Sequence, residues 1–192
     1  MNRPRIPCSS LLLTEARLYA LESKNFTMDY RGWQDQHNKL ERLTYGKFAQ
    51  LWVYEYCRLN GIPCEKDTSS HRDPDDKDLT ISGHDIDVKA SIIPSLVGQI
   101  SPGVYKREGG FYCFMITDRD CSFIRPIGFL SKAKFMEHSS EVKKGEVIPG
   151  TNIKQRFGSS RFVSPGAPVI DFFKFMDDAR LMQLDRYLSE AA

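Results

Sequence analysis

Residues 78–91 read DLTISGHDIDVKAS. Two short runs rich in β-branched and apolar residues flank Ser82-Gly83. That dipeptide predicts a two-residue hairpin turn, because glycine adopts positive φ at little cost. The turn sets a register: Ile81 opposite His84, Thr80 opposite Asp85, Leu79 opposite Ile86, Asp78 opposite Asp87. Side chains alternate along a strand. Leu79, Ile81, Ile86 and Val88 then build a core face, while Asp87 and Lys89 share the other face and point away from that core. Asp78, Asp87 and Lys89 converge at one end of the hairpin. Two carboxylates so placed repel unless a cation lies between them. A hard divalent ion takes carboxylates, waters and phosphate oxygens, and a neighbouring lysine can stabilise charge on a phosphate or position a water. A longer turn would change this register.

Working outward, SLLLTEARLYALES at 10–23 has helical spacing behind a serine start. Residues 33–60 read as a long helix with a possible break at Thr44–Gly46, stopped by Gly61 and Pro63. The polar segment 66–77 is a loop, and the Gly- and Pro-rich segment 92–110 is irregular. FYCFMITD at 111–118 and CSFIRPIGF at 121–129 are strands, and SKAKFMEHS is a short helix. Short extended pieces fill 142–169, and DFFKFMDDARLMQLDRYLSEAA closes the chain as an amphipathic helix. This order predicts an α/β (α+β) fold in one domain spanning 1–192.

The composition, 41% hydrophobic and 27% charged in 192 residues, is that of a globular protein with a sizeable core. No apolar run approaches the roughly 18 residues of a membrane helix. The N-terminus, with only three consecutive leucines, does not read as a signal peptide. Five cysteines without a CxxC spacing read as free, buried or inert thiols in a reducing compartment, hence an intracellular, cytoplasmic protein. The net charge of +2 is patterned. Residues 1–64 hold nine Lys/Arg and six acids (+3), 65–91 four and eight (−4), 92–165 eleven and six (+5), and 166–192 three and five (−2). An acidic centre between basic flanks suits a polyanion gripped around a metal site, although separate solvated faces give the same pattern.

The constellation Asp78, an eight-residue gap, then Asp87-Val88-Lys89 resembles the PD-(D/E)XK nuclease superfamily, which includes restriction endonucleases and Holliday-junction resolvases. The resemblance covers roughly Thr44 to Pro149. It extends through the helix GKFAQLWVYEYCRLNG before the hairpin and through IGFLSKAKF and KKGEVIP after it. It implies a restriction-endonuclease-like core, a mixed central sheet flanked by helices, at 44–149. Residues 1–43 become an N-terminal helical elaboration and 150–192 a C-terminal extension with its helix. It implies Mg²⁺ or Mn²⁺ held by Asp78, Asp87 and the Val88 carbonyl, with Lys89 acting on the attacking water or the developing charge. The family often places an acid four residues after the helix glycine. Here that position holds Gln50, with Glu55 as a fallback on the same helix.

Other residues carry two readings. Pro74-Asp75, with Asp73 and Asp76, could supply the first acid or form a polar loop. An EF-hand reading of 73–85 fails at Pro74, Lys77 and the missing glycine. His71 and His84 read as loop histidines rather than ligands. Ser91 continues the face of Asp87 and Lys89. Lys143, Lys144, Lys154, Arg156 and Arg161 could bind backbone phosphates or only keep the surface solvated. The expected function is metal-dependent hydrolysis of phosphodiester bonds in DNA, and paired cuts in a duplex would call for a two-fold homodimer. The alternative is a non-catalytic nucleic-acid-binding or protein-interaction domain that keeps the nuclease fold.

Overall fold

The computed structural model describes residues 6–23, 36–67, 77–92, 99–100, 109–155, 159–164 and 166–190. The order is β1 (Ile6–Pro7), α1 (Ser10–Ser23), α2 (Gln36–Leu59), β2 (Cys64–Lys66), β3 (Leu79–Ile81), β4 (His84–Ser91), β5 (Gln99–Ile100), β6 (Phe111–Thr117), β7 (Phe123–Ser131), α3 (Lys132–Glu137), β8 (Ser139–Val142), β9 (Ser160–Val163), β10 (Ile170–Asp171) and α4 (Phe172–Glu190). The main sheet runs β1-β7-β6-β4-β3-β2, with β10 also paired to β7. Only β4 and β6 are parallel, so this is a mixed sheet in an α/β architecture. A second sheet of three strands has the order β5-β9-β8.

Period-two alternation sends the two faces of the sheet into different environments. Ile86, Val88, Cys113, Met115 and Phe129 join Phe48, Leu51, Trp52 and Val53 of α2 and Phe172, Phe175 and Met176 of α4. Phe129 stacks on Phe175 with ring centroids 3.9 Å apart. A fully buried Phe of this kind stabilises by roughly 1.5–3 kcal/mol through burial alone. On the opposite face Tyr112, Phe114 and Leu130 pack against Phe135 of α3. Helices thus flank both faces, while α1 lies against α2. The small sheet closes on Val142, Ile148 and Phe162. It adjoins the α3 face, where Val163 packs against the Tyr112 cluster and Ser164 donates its N–H to the His138 carbonyl.

Three features depart from the sequence reading. Helix α2 is continuous through Thr44–Gly46, where the Thr44 hydroxyl donates to the Leu40 carbonyl at 2.9 Å. Cys64–Lys66, a segment without a strand-like pattern, adds a third strand beside the hairpin because β3 offers it an open edge. Strand β7 runs to Ser131, two residues past the expected end, and hands the chain directly to α3. Among the described residues no helix is long and apolar enough to cross a membrane.

Candidate active site

The hairpin turn has φ of 47° at Ser82 and 82° at Gly83, the positive pair that a tight hairpin twist requires. The register is Leu79↔Ile86, Thr80↔Asp85 and Ile81↔His84. The Ser82 hydroxyl donates to the Ala179 carbonyl, fastening the turn to α4. Strand β3 has three residues and β4 has eight, so the hairpin ladder ends before Asp87 is reached. Asp78 takes over at that edge. Its N–H donates to the Ile86 carbonyl at 3.0 Å, and its Oδ2 accepts from the Val88 N–H at 2.7 Å. Instead of lying squarely opposite Asp87, the Asp78 carboxylate therefore turns onto the edge of β4.

Gln50 completes this edge from α2. It is 7% exposed, and its Nε2 donates to the Asp78 backbone carbonyl at 2.7 Å. The amide oxygen is left to accept from a water or to meet a cation. Glu55 lies elsewhere. It forms a two-pronged pair with Arg58, with Oε1 2.7 Å from the guanidinium, and that partner holds its carboxyl below the usual range. Five residues along a helix turn a side chain by about 140° from Gln50.

Asp87 and Lys89 share the face opposite α2, as alternation requires, but that face is not open at Asp87. Asp87 is only 4% exposed and sits between two ammonium groups: Lys132 Nζ at 3.0 Å from Oδ2 and Lys89 Nζ at 3.5 Å from Oδ1. Both lysines lie over the Tyr112 ring, at 5.5 and 6.0 Å from its centroid. Lys132 is 6% exposed, whereas the Lys89 side chain is 27% exposed. The approach of Lys132 is close enough for an ion pair but off-line for a hydrogen bond, and Asp87 Oδ2 has no hydrogen-bond partner. Asp87 points away from the main core into a second buried layer, where it neutralises a buried lysine.

Sequence reasoning missed Lys132. It opens α3 behind the Ser131 cap, whose Oγ accepts from the Lys134 N–H, and its own N–H donates to the Gly110 carbonyl. Its signal was the SK pair in IGFLSKAKF, yet nothing local says that this lysine is the buried one and Lys134 the exposed one.

Tyr19 of α1, Arg42, Lys47 and Gln50 of α2, and Asp78 and Lys89 of the hairpin border an open cleft of about 190 Å³. Asp87 lies behind Lys89 and is not part of its wall. Asp78, Gln50 and Lys89 thus border one cleft, and Asp87 does not. Ser91 is half-buried at the end of the same strand face. The Val88 side chain is buried in the core, and its N–H is the one Asp78 holds. Lys143, Lys144 and Lys154 are exposed on the hairpin that leads out of β8. Arg161 donates to the Ser139 hydroxyl and carbonyl at 2.9 and 2.6 Å. His84 packs edge-on against Phe111 at 5.4 Å. Arg156, His71, Asp73, Asp75 and Asp76 lie outside the described residues.

The donor set can be weighed against a metal. Among the described residues no group of three or more His, Cys, Asp or Glu converges. Magnesium commonly takes one or two carboxylates and fills its octahedron with waters and substrate phosphates. Asp78 and Asp87 supply hard oxygens of that kind, Asp78 in the cleft wall and Asp87 behind it with its Oδ2 3.0 Å from the Lys132 ammonium. The thiols offer no competing nucleophile at this site. Burial pushes Cys8 up to about 12 and Cys121 to about 11, and it raises Cys113 well above its ordinary value.

No protein-family model matches the chain, and neither a curated protein nor a solved structure is significantly similar to it.

Proposed function

We propose that this chain is a metal-dependent nuclease of the PD-(D/E)XK type, with a restriction-endonuclease-like core, that hydrolyses phosphodiester bonds in DNA inside the cell. The observation that supports this most is the pairing of Asp87 with a partly exposed Lys89 at 3.5 Å, beside a strand edge held by Asp78 and latched by Gln50. Asp78, Asp87 and the Val88 carbonyl would hold Mg²⁺ or Mn²⁺. When bound, the ion supplies Lewis acidity to the phosphate and lowers the pKa of a water. Lys89 reaches the cleft, where its ammonium orients the attacking water or meets charge on the phosphate oxygens. Gln50 holds the Asp78 backbone in place, and Lys132 holds the Asp87 carboxylate from behind. A duplex cut on both strands requires two such sites, which a homodimer would present.

The test is incubation of the protein with plasmid, linear duplex, single-stranded DNA and RNA, with Mg²⁺, with Mn²⁺ and with chelator. Cleavage in metal that stops in chelator is expected, with a loss of about 10²–10³-fold in Lys89→Ala, the order found when one transition-state donor is removed. Gln50→Glu should weaken cutting, because an ionised carboxylate cannot donate to the Asp78 carbonyl that the Gln50 amide holds. Lys89→Ala cutting at the wild-type rate overturns the assignment. A second reading, a non-catalytic nucleic-acid-binding or protein-interaction domain of the same fold, draws on one observation: two lysines already balance Asp87 without a metal. DNA binding without cleavage of any substrate would favour it.

A further inference from the structure

We infer that the cleft between α1 and α2 seats one backbone phosphate of a DNA strand, with Arg42 and Lys47 as its cations and Gly46 as the floor that admits it. This rests on the proposed action on DNA and adds residues that the hairpin constellation does not include. Gly46 is the first observation. It sits inside a continuous 24-residue helix, where glycine is the weakest helix former after proline. Its φ is not positive, and beyond its own helix turn a Cβ added there meets no heavy atom of the described residues within 4 Å. Neither backbone conformation nor packing requires a glycine. What the position does face is the cleft.

The second observation is charge. On α2, positions 42, 43, 46, 47 and 50 follow helical spacing and form one stripe along the cleft. Arg42, Lys47 and Lys89 are the cations of the cleft wall and Asp78 is its carboxylate. The third is bracing. Lys47 Nζ lies 4.2 Å above the Tyr19 ring. Braced cations lose less freedom on binding an anion. The volume of about 190 Å³ equals roughly six waters at about 30 Å³ each. That accommodates a phosphate with its hydration. Arg42 and Lys47 thus meet a phosphate in the cleft that Asp78 and Lys89 also border.

The experiment measures affinity for a fluorescent DNA duplex and for the matching single strand by anisotropy, in Ca²⁺ to suppress cutting, across a salt series. Thermal midpoints are recorded in parallel. Gly46→Leu should melt at or above the wild-type temperature and bind at least tenfold more weakly, with Gly46→Ala in between. The double variant Arg42→Gln/Lys47→Gln should flatten the slope of log affinity against log salt by about 0.9 for each of the two contacts on duplex. Gly46→Leu binding within twofold of wild type overturns the seat. A lowered melting midpoint also overturns it, by showing that packing requires the glycine, and so does a wild type with no salt-dependent DNA binding. A wild type that binds as described but never cuts would remove the nuclease reading and leave the seat standing.

Discussion

The main sheet lies between two buried layers, α2 and α4 on one side and Tyr112, Phe114, Leu130 and Phe135 on the other. The three-stranded sheet closes on three buried side chains, Val142, Ile148 and Phe162. The first holds every member of the hairpin constellation, and the second carries exposed Lys143, Lys144 and Lys154. A catalytic group must hold its position to within fractions of an ångström, so it belongs where opening costs most of the global stability. Groups that follow a nucleic-acid backbone need charge more than fixed geometry, and a small sheet with little core can yield to fit.

This contrast can be broken or sharpened. Phe129→Ala removes a ring stacked between Phe172 and Phe175 and should cost about 3–5 kcal/mol in urea unfolding. Phe162→Ala should cost less than half of that and should speed hydrogen exchange in β8 and β9 while β6 and β7 stay protected. Equal costs would mean that the two sheets unfold as one unit. Next comes the charged layer. Asp87→Ala strands the buried Lys132 ammonium and should cost about 3–5 kcal/mol, the usual penalty for half of a buried pair. The double variant Asp87→Leu/Lys132→Met should recover most of it. No recovery would show that the pair is not what stabilises this layer.

Alkaline pH probes the thiols of the main core. Cys8, Cys121 and Cys113 have folded-state values raised above the unfolded one, so they stay neutral when folded and ionise more readily when unfolded. Above the unfolded thiol value the unfolded chain binds fewer protons, and stability falls as pH rises. The contribution is complete below about pH 8.5 and is lost toward pH 11–12. Melting midpoints should drop over that window, and replacing Cys121 by Ala should shrink the drop. The smallest effect is expected on the small sheet: Lys143→Ala/Lys144→Ala should change stability by no more than about 0.5 kcal/mol. If these lysines touch phosphates, the salt slope of duplex binding flattens by roughly 0.9 per contact. An unchanged slope would leave them as solvated charges and move the binding surface to the α1–α2 cleft.

The hairpin, its register and the shared face of Asp87 and Lys89 were legible in residues 78–91, because turn chemistry and period-two alternation act between residues a few positions apart. The same holds for α1, most of α2 and α4, where spacing of three and four marks the buried stripe. Burial and partners of the charged groups were not legible. Gln50 reaches the Asp78 carbonyl across 28 residues, and Lys132 meets Asp87 only after β6 and β7 have carried the chain back along the sheet. Local pattern decided which face Asp87 took. Only the tertiary structure decided that this face is covered, that Lys132 is the buried lysine and Lys134 the exposed one, and that Asp78 turns to the edge of β4, because a charge enters the interior only where a distant element delivers its counter-charge.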